Sequence, residues 1–173
     1  MKTSFALATV GIGSNLGDRE AFLAGAVRRL ARHPQNRIRA VSSLYETEPF
    51  GKTDQPWFLN CVLQLDTGQE LGAFFRGLQE VEAFFGRRRT ERWGPRELDL
   101  DLLFFGDLVY SAPELTVPHP GIPGRRFVLE PLCEIAPELV HPSLHLRVRE
   151  LLARLSDASK VVRLSRPPLN LEP

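Results

Sequence analysis

Apolar positions along the chain change their period several times, and each change marks an element. Residues 5–12 form a continuous apolar run of strand length, broken by Gly13-Ser-Asn-Leu-Gly17. Asp18 stands where it can cap a helix. In that helix Phe22, Leu23, Ala26, Val27 and Leu30 fall at 3.6-residue spacing, and Pro34 closes it. A second strand is predicted over 38–45, a turn-rich loop over 46–56, a third strand over 58–65, and a second helix over 71–85 ended by Gly86. An arginine-rich loop leads into a fourth strand over 98–105. The order β-α-β-β-α-β predicts an α+β, ferredoxin-like core with an antiparallel sheet and helices packed on it. The remainder reads as a strand fragment, a Pro-rich loop and short helices, one over 148–155. Residues 1–164 are expected to form one domain, with 165–173 a loose tail holding three prolines.

The second helix breaks its own pattern. Leu71, Phe74, Phe75, Leu78 and Phe85 make one apolar stripe, yet Glu82 lies inside it and Gln79 at its edge. A carboxylate there either reaches water from an exposed helix end or, if buried, meets an arginine or a ligand.

The fourth strand carries the most informative pattern. In Leu98-Asp99-Leu100-Asp101-Leu102 the alternation of a strand puts both aspartates on one face and the leucines on the other. With no basic residue inside the strand, the carboxylates repel each other, and a divalent cation is the usual relief. The arginines just upstream then suggest a substrate with several phosphates. Nineteen of the 22 basic residues are arginine, so an arginine-rich loop alone carries less weight here than elsewhere.

Composition narrows the rest. A formal net charge of +1 supplies no global field for nucleic acid or a membrane. Cys61 and Cys133 are far apart and read as free thiols in a reducing compartment. No run approaches a membrane span, no signal peptide is read, and a cytoplasmic location is expected. Gly11-Ile-Gly-Ser-Asn-Leu-Gly17 is not a dinucleotide fingerprint, because its third glycine comes one position late; a tight strand-to-helix turn is the simpler account of these glycines. No GK[ST] follows a glycine loop, so a P-loop is absent. An RNA-binding sheet is disfavoured by the missing RNP1 pattern and by the two aspartates.

Several motifs together resemble one family. They are Gly13-Ser-Asn-Leu-Gly17, Ser43-Leu-Tyr-Glu-Thr47, Asp54-Gln-Pro56 with Phe58-Leu-Asn60, Glu91-Arg-Trp-Gly-Pro-Arg96, Leu98-Asp-Leu-Asp101, and Leu115-Thr-Val-Pro-His119 with Arg125 and Phe127. From about Ala8 to about Pro142 the chain resembles 6-hydroxymethyl-7,8-dihydropterin pyrophosphokinase, an enzyme of folate biosynthesis. The resemblance implies transfer of diphosphate from ATP to the pterin hydroxymethyl group, with release of AMP and two magnesium ions. It implies that Asp99 and Asp101 hold both ions and act in catalysis with Arg87 and Arg96. For ATP it implies Gln79, Glu82, Arg89, Arg92, Trp93, Leu102, Leu115, Thr116, His119 and Arg125. For the pterin it implies Phe58 and Phe127 as a stacking pair, Asn60 for the amide-like edge, and Thr47, Glu48, Phe50 and Trp93 beside them. Small-molecule substrates only and a monomeric state are expected. Phe58 stands where the family often has tyrosine, Glu114 where it can have a basic residue, and Pro120 where it can have tyrosine.

Overall fold

The structure is a computed structural model and describes residues 5–86, 94–164 and 169. Its elements in chain order are β1 (Ala6–Ser14), α1 (Arg19–Ala31), β2 (Asn36–Val41), β3 (Tyr45–Thr47), β4 (Phe58–Thr67), α2 (Leu71–Phe84), β5 (Asp99–Phe105), β6 (Tyr110–Ala112), β7 (Leu115–Val117), α3 (Arg126–Ile135), α4 (Val148–Ala153) and β8 (Val161–Arg163). The main sheet runs β5-β1-β4-β3-β8, with β2 also on β4, and its pairings are antiparallel. β6 and β7 form a separate hairpin. This is the α+β, ferredoxin-like arrangement that the alternation of elements predicts.

The strand expected over 38–45 is two strands. The Ser42 N–H donates to Val62 O at 2.9 Å, and the Ser42 hydroxyl, in place of a backbone carbonyl, accepts the Val62 N–H at 2.9 Å. This serine interrupts regular pairing, so β2 and β3 lie end to end along one edge of β4. An apolar pattern does not reveal a side chain that competes for the ladder.

Each face of the sheet has its own core. Val10, Ile12, Leu63, Leu65, Leu100 and Leu102 pack against Leu23, Val27, Phe74 and Leu78 of α1 and α2. Val62, Leu103 and Phe104 pack against Leu129, Leu132, Val148 and Leu151 of α3 and α4. A register shift opposite Thr9 and Val10 lets Leu103 and Phe104 serve the same core before Phe105 returns to the first. In the tail, Leu169 is buried in the first core; the other residues of 165–173 lie outside the described residues.

Asp18 caps α1 as expected, accepting from the Ala21 N–H at 3.0 Å. Gly86 follows α2 with φ of 87°, a conformation glycine adopts without steric cost.

Candidate active site

Cross-strand register lays out the site before any side chain is considered. Asp99 pairs with Gly13 and Gly13 with Asn60; Asp101 pairs with Gly11 and Gly11 with Val62. Directly opposed residues share a face. Two aspartates on β5 therefore look across two glycines on β1 to Asn60 and Val62 on β4. The missing side chains make a trough. A Cβ on Gly13 would stand 2.4 Å from Asn60 Oδ1. This corrects the turn explanation of these glycines: Gly11 and Gly13 lie within β1, and only Gly17, with φ of 63°, serves the turn.

Asp99 and Asp101 do share one face, with Leu100 and Leu102 buried on the other. Their counter-charges come from outside the strand. Arg96 Nη1 lies 2.8 Å from Asp99 Oδ2, and Arg125 Nη1 lies 4.0 Å from Asp101 Oδ2. The strand itself holds no base, as the pattern predicts, but a period-2 pattern cannot register arginines brought in by neighbouring segments.

Glu82 is buried, as its place in the stripe requires, and accepts a 2.6 Å hydrogen bond from the Leu100 N–H. Among the described residues, the donor is a backbone amide on the edge strand, which ties α2 to β5. Val81, absent from the expected stripe, joins Phe74 and Leu78 on the buried face.

Two cavities adjoin the aspartates. The first, about 310 Å³, is lined by Thr47, Glu48, Phe50, Phe58, Asn60 and Phe127 together with Gly11, Gly13, Gln55, Arg96, Asp99 and Arg125. Every described residue expected at the pterin is here. Asn60 donates through Nδ2 to Thr47 Oγ1 at 2.6 Å. The rings of Phe50 and Phe127 lie 6.1 Å apart, and the Arg125 guanidinium sits 5.5 Å and 5.8 Å from their centroids. Glu48 lines the cavity while its Oε2 accepts the Lys160 N–H at 2.7 Å. Arg125, expected at the nucleotide, lines this first cavity beside Asp101.

The second cavity, about 580 Å³, is lined by Phe75, Gln79, Glu82, Leu102, Leu115 and Thr116, with Glu114 and Pro120 at its wall. Asp101 and His119 line both cavities. The His119 N–H donates to Leu103 O at 2.9 Å, which ties its loop to β5. Its ring Nδ1 accepts the Gly121 N–H at 3.0 Å, which leaves Nε2 as the donor of the neutral ring. Burial, reinforced by the Arg125 charge and opposed by Asp99, pushes its pKa down to about 4, so the ring is neutral at physiological pH.

One organising residue was given no role from sequence. Asn15 is buried and uses both ends of its amide. Oδ1 accepts the Arg96 N–H at 2.8 Å, and Nδ2 donates to Gln55 Oε1 and Pro56 O, each at 3.0 Å. Its own N–H donates to Arg96 O at 3.1 Å. It thereby joins the loop before β4 to the arginine that holds Asp99. The signal available was a polar residue directly following an apolar strand. Arg87, Arg89, Arg92 and Trp93 lie outside the described residues.

A family profile described as 7,8-dihydro-6-hydroxymethylpterin-pyrophosphokinase matches residues 9–137. The chain belongs to this pyrophosphokinase family. It is 45% identical over 157 residues to the 2-amino-4-hydroxy-6-hydroxymethyldihydropteridine pyrophosphokinase of Methylorubrum extorquens, covering 91% of this chain and 98% of that one. The enzyme of the same name from Bacillus subtilis is 41% identical over 133 residues, covering 77% of this chain and 80% of that one. Among solved structures, wild-type Plasmodium falciparum HPPK-DHPS superposes with a TM-score of 0.69 over 87% of this chain at 13% identity, a likeness of fold alone. This chain spans 45% of that structure's length. Within the pyrophosphokinase family, then, this chain presents paired aspartates, a glycine-floored cavity and a second cavity meeting at one aspartate and one neutral histidine.

Proposed function

We propose that this chain transfers the diphosphate of ATP to the hydroxymethyl group of 6-hydroxymethyl-7,8-dihydropterin, releasing AMP, as a step of folate biosynthesis. The observation that carries the reading is the meeting of two differently furnished cavities at Asp101 and His119. The aromatic and amide-bearing cavity suits a flat heteroaromatic ring with donors and acceptors on its edge. The other cavity takes the nucleotide.

In the reaction, the pterin hydroxyl oxygen forms a bond to the β-phosphorus of ATP. The bond from that phosphorus to the oxygen bridging it to the α-phosphorus breaks, AMP keeps that oxygen, and the hydroxyl proton passes to solvent. Such transition states are loose, so positioning and charge neutralisation dominate. Arg96 and Arg125 present guanidinium forks, which match phosphate oxygens better than an ammonium does. His119 stays neutral and offers its Nε2 proton to a phosphate oxygen without titrating. Phe58 and Phe127 hold the pterin ring, and Asn60 reads its edge. Gln79, Glu82, Leu102, Leu115 and Thr116 bound the nucleotide, and Arg87, Arg89, Arg92 and Trp93 complete the site by family resemblance.

Asp99 and Asp101 fit magnesium. Among the described residues no group of three His, Cys, Asp or Glu side chains gathers, and magnesium is commonly held by one or two carboxylates with water and substrate phosphates filling the rest. Two ions are proposed; when bound, they neutralise the phosphate oxygens and acidify the attacking hydroxyl. A monomer suffices for this scheme, because one chain lines both cavities. A cytoplasmic location is part of the same reading and is supported by the free thiols of Cys61 and Cys133. No helix among the described residues is long and apolar enough to cross a membrane.

The test is incubation with ATP, magnesium and 6-hydroxymethyl-7,8-dihydropterin. AMP and the pterin diphosphate are expected. ADP as the nucleotide product, or no pterin-dependent turnover, would overturn the proposal.

A further inference from the structure

The first cavity has two walls from distant parts of the chain. One is the end of β3 with the segment that follows it, bearing Thr47, Glu48 and Phe50. The other is the start of α3, flanked by Arg125 and Phe127. Residues 157–163 touch both.

On the α3 side, the helix has no side-chain cap of its own. A first-turn N–H left without a partner is costly when removed from water. Asp157 supplies the acceptor from a different segment: the Arg126 N–H donates to Asp157 Oδ2 at 2.9 Å, and Arg126 Nε donates to Asp157 O at 2.8 Å. Arg126 is the residue between Arg125 and Phe127. Asp157 is itself held, its Oδ1 accepting from the Ser159 N–H at 2.9 Å and hydroxyl at 2.5 Å.

On the other side, the Glu48 N–H donates to Lys160 O at 3.0 Å and the Lys160 N–H donates to Glu48 Oε2 at 2.7 Å. The pairing continues as β8 on β3, from Thr47 opposite Val161 to Tyr45 opposite Arg163. Glu134 on α3 closes the circuit. It accepts from the Tyr45 hydroxyl at 2.7 Å, the Ser43 hydroxyl at 2.8 Å and Arg163 at 3.0 Å.

We propose that residues 157–163 are a strap that sets the gap between the two walls of the first cavity, with Asp157 and Glu48 as positioning residues for the ring bound there. The strap ties the backbone beside Phe127 to the backbone beside Thr47, so the spacing of the aromatic walls is set before a ligand arrives. Pre-setting that spacing removes an ordering cost from binding. Glu48 thus acts through its main-chain partner as well as lining the cavity. That the ring is a pterin rests on the pyrophosphokinase reading.

The experiment compares the full chain with Asp157→Ala and Asp157→Asn. In Asp157→Ala the dissociation constant for 6-hydroxymethylpterin should rise about tenfold, while that for a non-hydrolysable ATP analogue stays within about twofold. Asp157→Asn, which keeps an acceptor for the Arg126 N–H, should recover most of the loss. In the unliganded protein, NOEs between the Phe50 and Phe127 rings should weaken in Asp157→Ala while those between β1 and β4 persist. Unchanged ring NOEs, or pterin and nucleotide affinities that move together, would overturn the strap. If the wild-type protein binds no pterin, the pyrophosphokinase reading fails by itself and the ring NOEs still decide the strap. Should Asp157→Ala not fold, Ser159→Ala removes one support of Asp157 and should move the same measurements in the same direction.

Discussion

The carboxylate of Glu82 accepts a 2.6 Å hydrogen bond from the N–H of Leu100, the residue standing between Asp99 and Asp101. β5 ends the sheet path, so among the described residues no strand lies beyond it to receive this amide. A buried acid on α2 therefore holds the edge strand at the point where both aspartates project. Glu82→Ala should lower stability by roughly 1–3 kcal/mol, the cost of an unsatisfied buried donor, with turnover falling further than the loss of folded protein explains. Urea denaturation alongside steady-state kinetics checks this. Glu82→Gln keeps an acceptor and should be milder in both.

Asp101 lies at the seam of the two cavities with part of its side chain open to solvent. Asp101→Ala should abolish magnesium-dependent turnover and change unfolding free energy by no more than about 1 kcal/mol. Near-normal activity in magnesium would refute its role as a metal ligand.

Arg96 is 2.8 Å from Asp99 and is fastened to Asn15 through its backbone. Arg96→Ala should depress kcat more than it raises the KM for the pterin. Arg96→Lys should restore little, because an ammonium lacks the planar fork. A variant whose sole defect is a weaker pterin KM would move Arg96 out of the phosphate-handling role.

Gly13→Ala places a methyl 2.4 Å from Asn60 Oδ1. Asn60 must shift, and its 2.6 Å bond to Thr47 shifts with it. The pterin KM should rise about tenfold, the worth of one good hydrogen bond, with the ATP KM little changed. At Gly11 the nearest atom to an added Cβ is 3.6 Å away, an ordinary contact. Gly11→Ala should accordingly cost less stability than Gly13→Ala in thermal unfolding.

His141 is buried, and its Nδ1 accepts the N–H groups of Ser143 and Leu144, each at 3.3 Å. Burial holds its pKa below the usual 6.5. The unfolded chain then binds a proton near that pH while the folded chain does not. Stability from this site is fully present above 6.5 and is lost as pH falls toward the lower folded value. Urea midpoints measured from pH 7 downward should show this slope, and His141→Asn should flatten it.

The apolar periods made α1, α2, β1, β4 and the edge strand legible, because burial on one side of a helix or strand writes itself into the order of residues. The shared face of Asp99 and Asp101 and the buried place of Glu82 were legible for the same reason. The interruption at Ser42 was not, since a hydroxyl that takes a ladder bond leaves no mark on hydrophobic pattern. Nor was the floor role of Gly11 and Gly13, which depends on Asn60 and Val62 lying across the strand pair. Local order along the chain thus determined which elements form and which side chains share a face. Only the tertiary structure decided who meets whom across them: Arg96 with Asp99, Asn15 with Gln55, Asp157 with Arg126. Those partners are separated by three, forty and thirty-one residues. Periodicity reports one element's burial, whereas hydrogen bonds and ion pairs between elements depend on how those elements come to rest against each other.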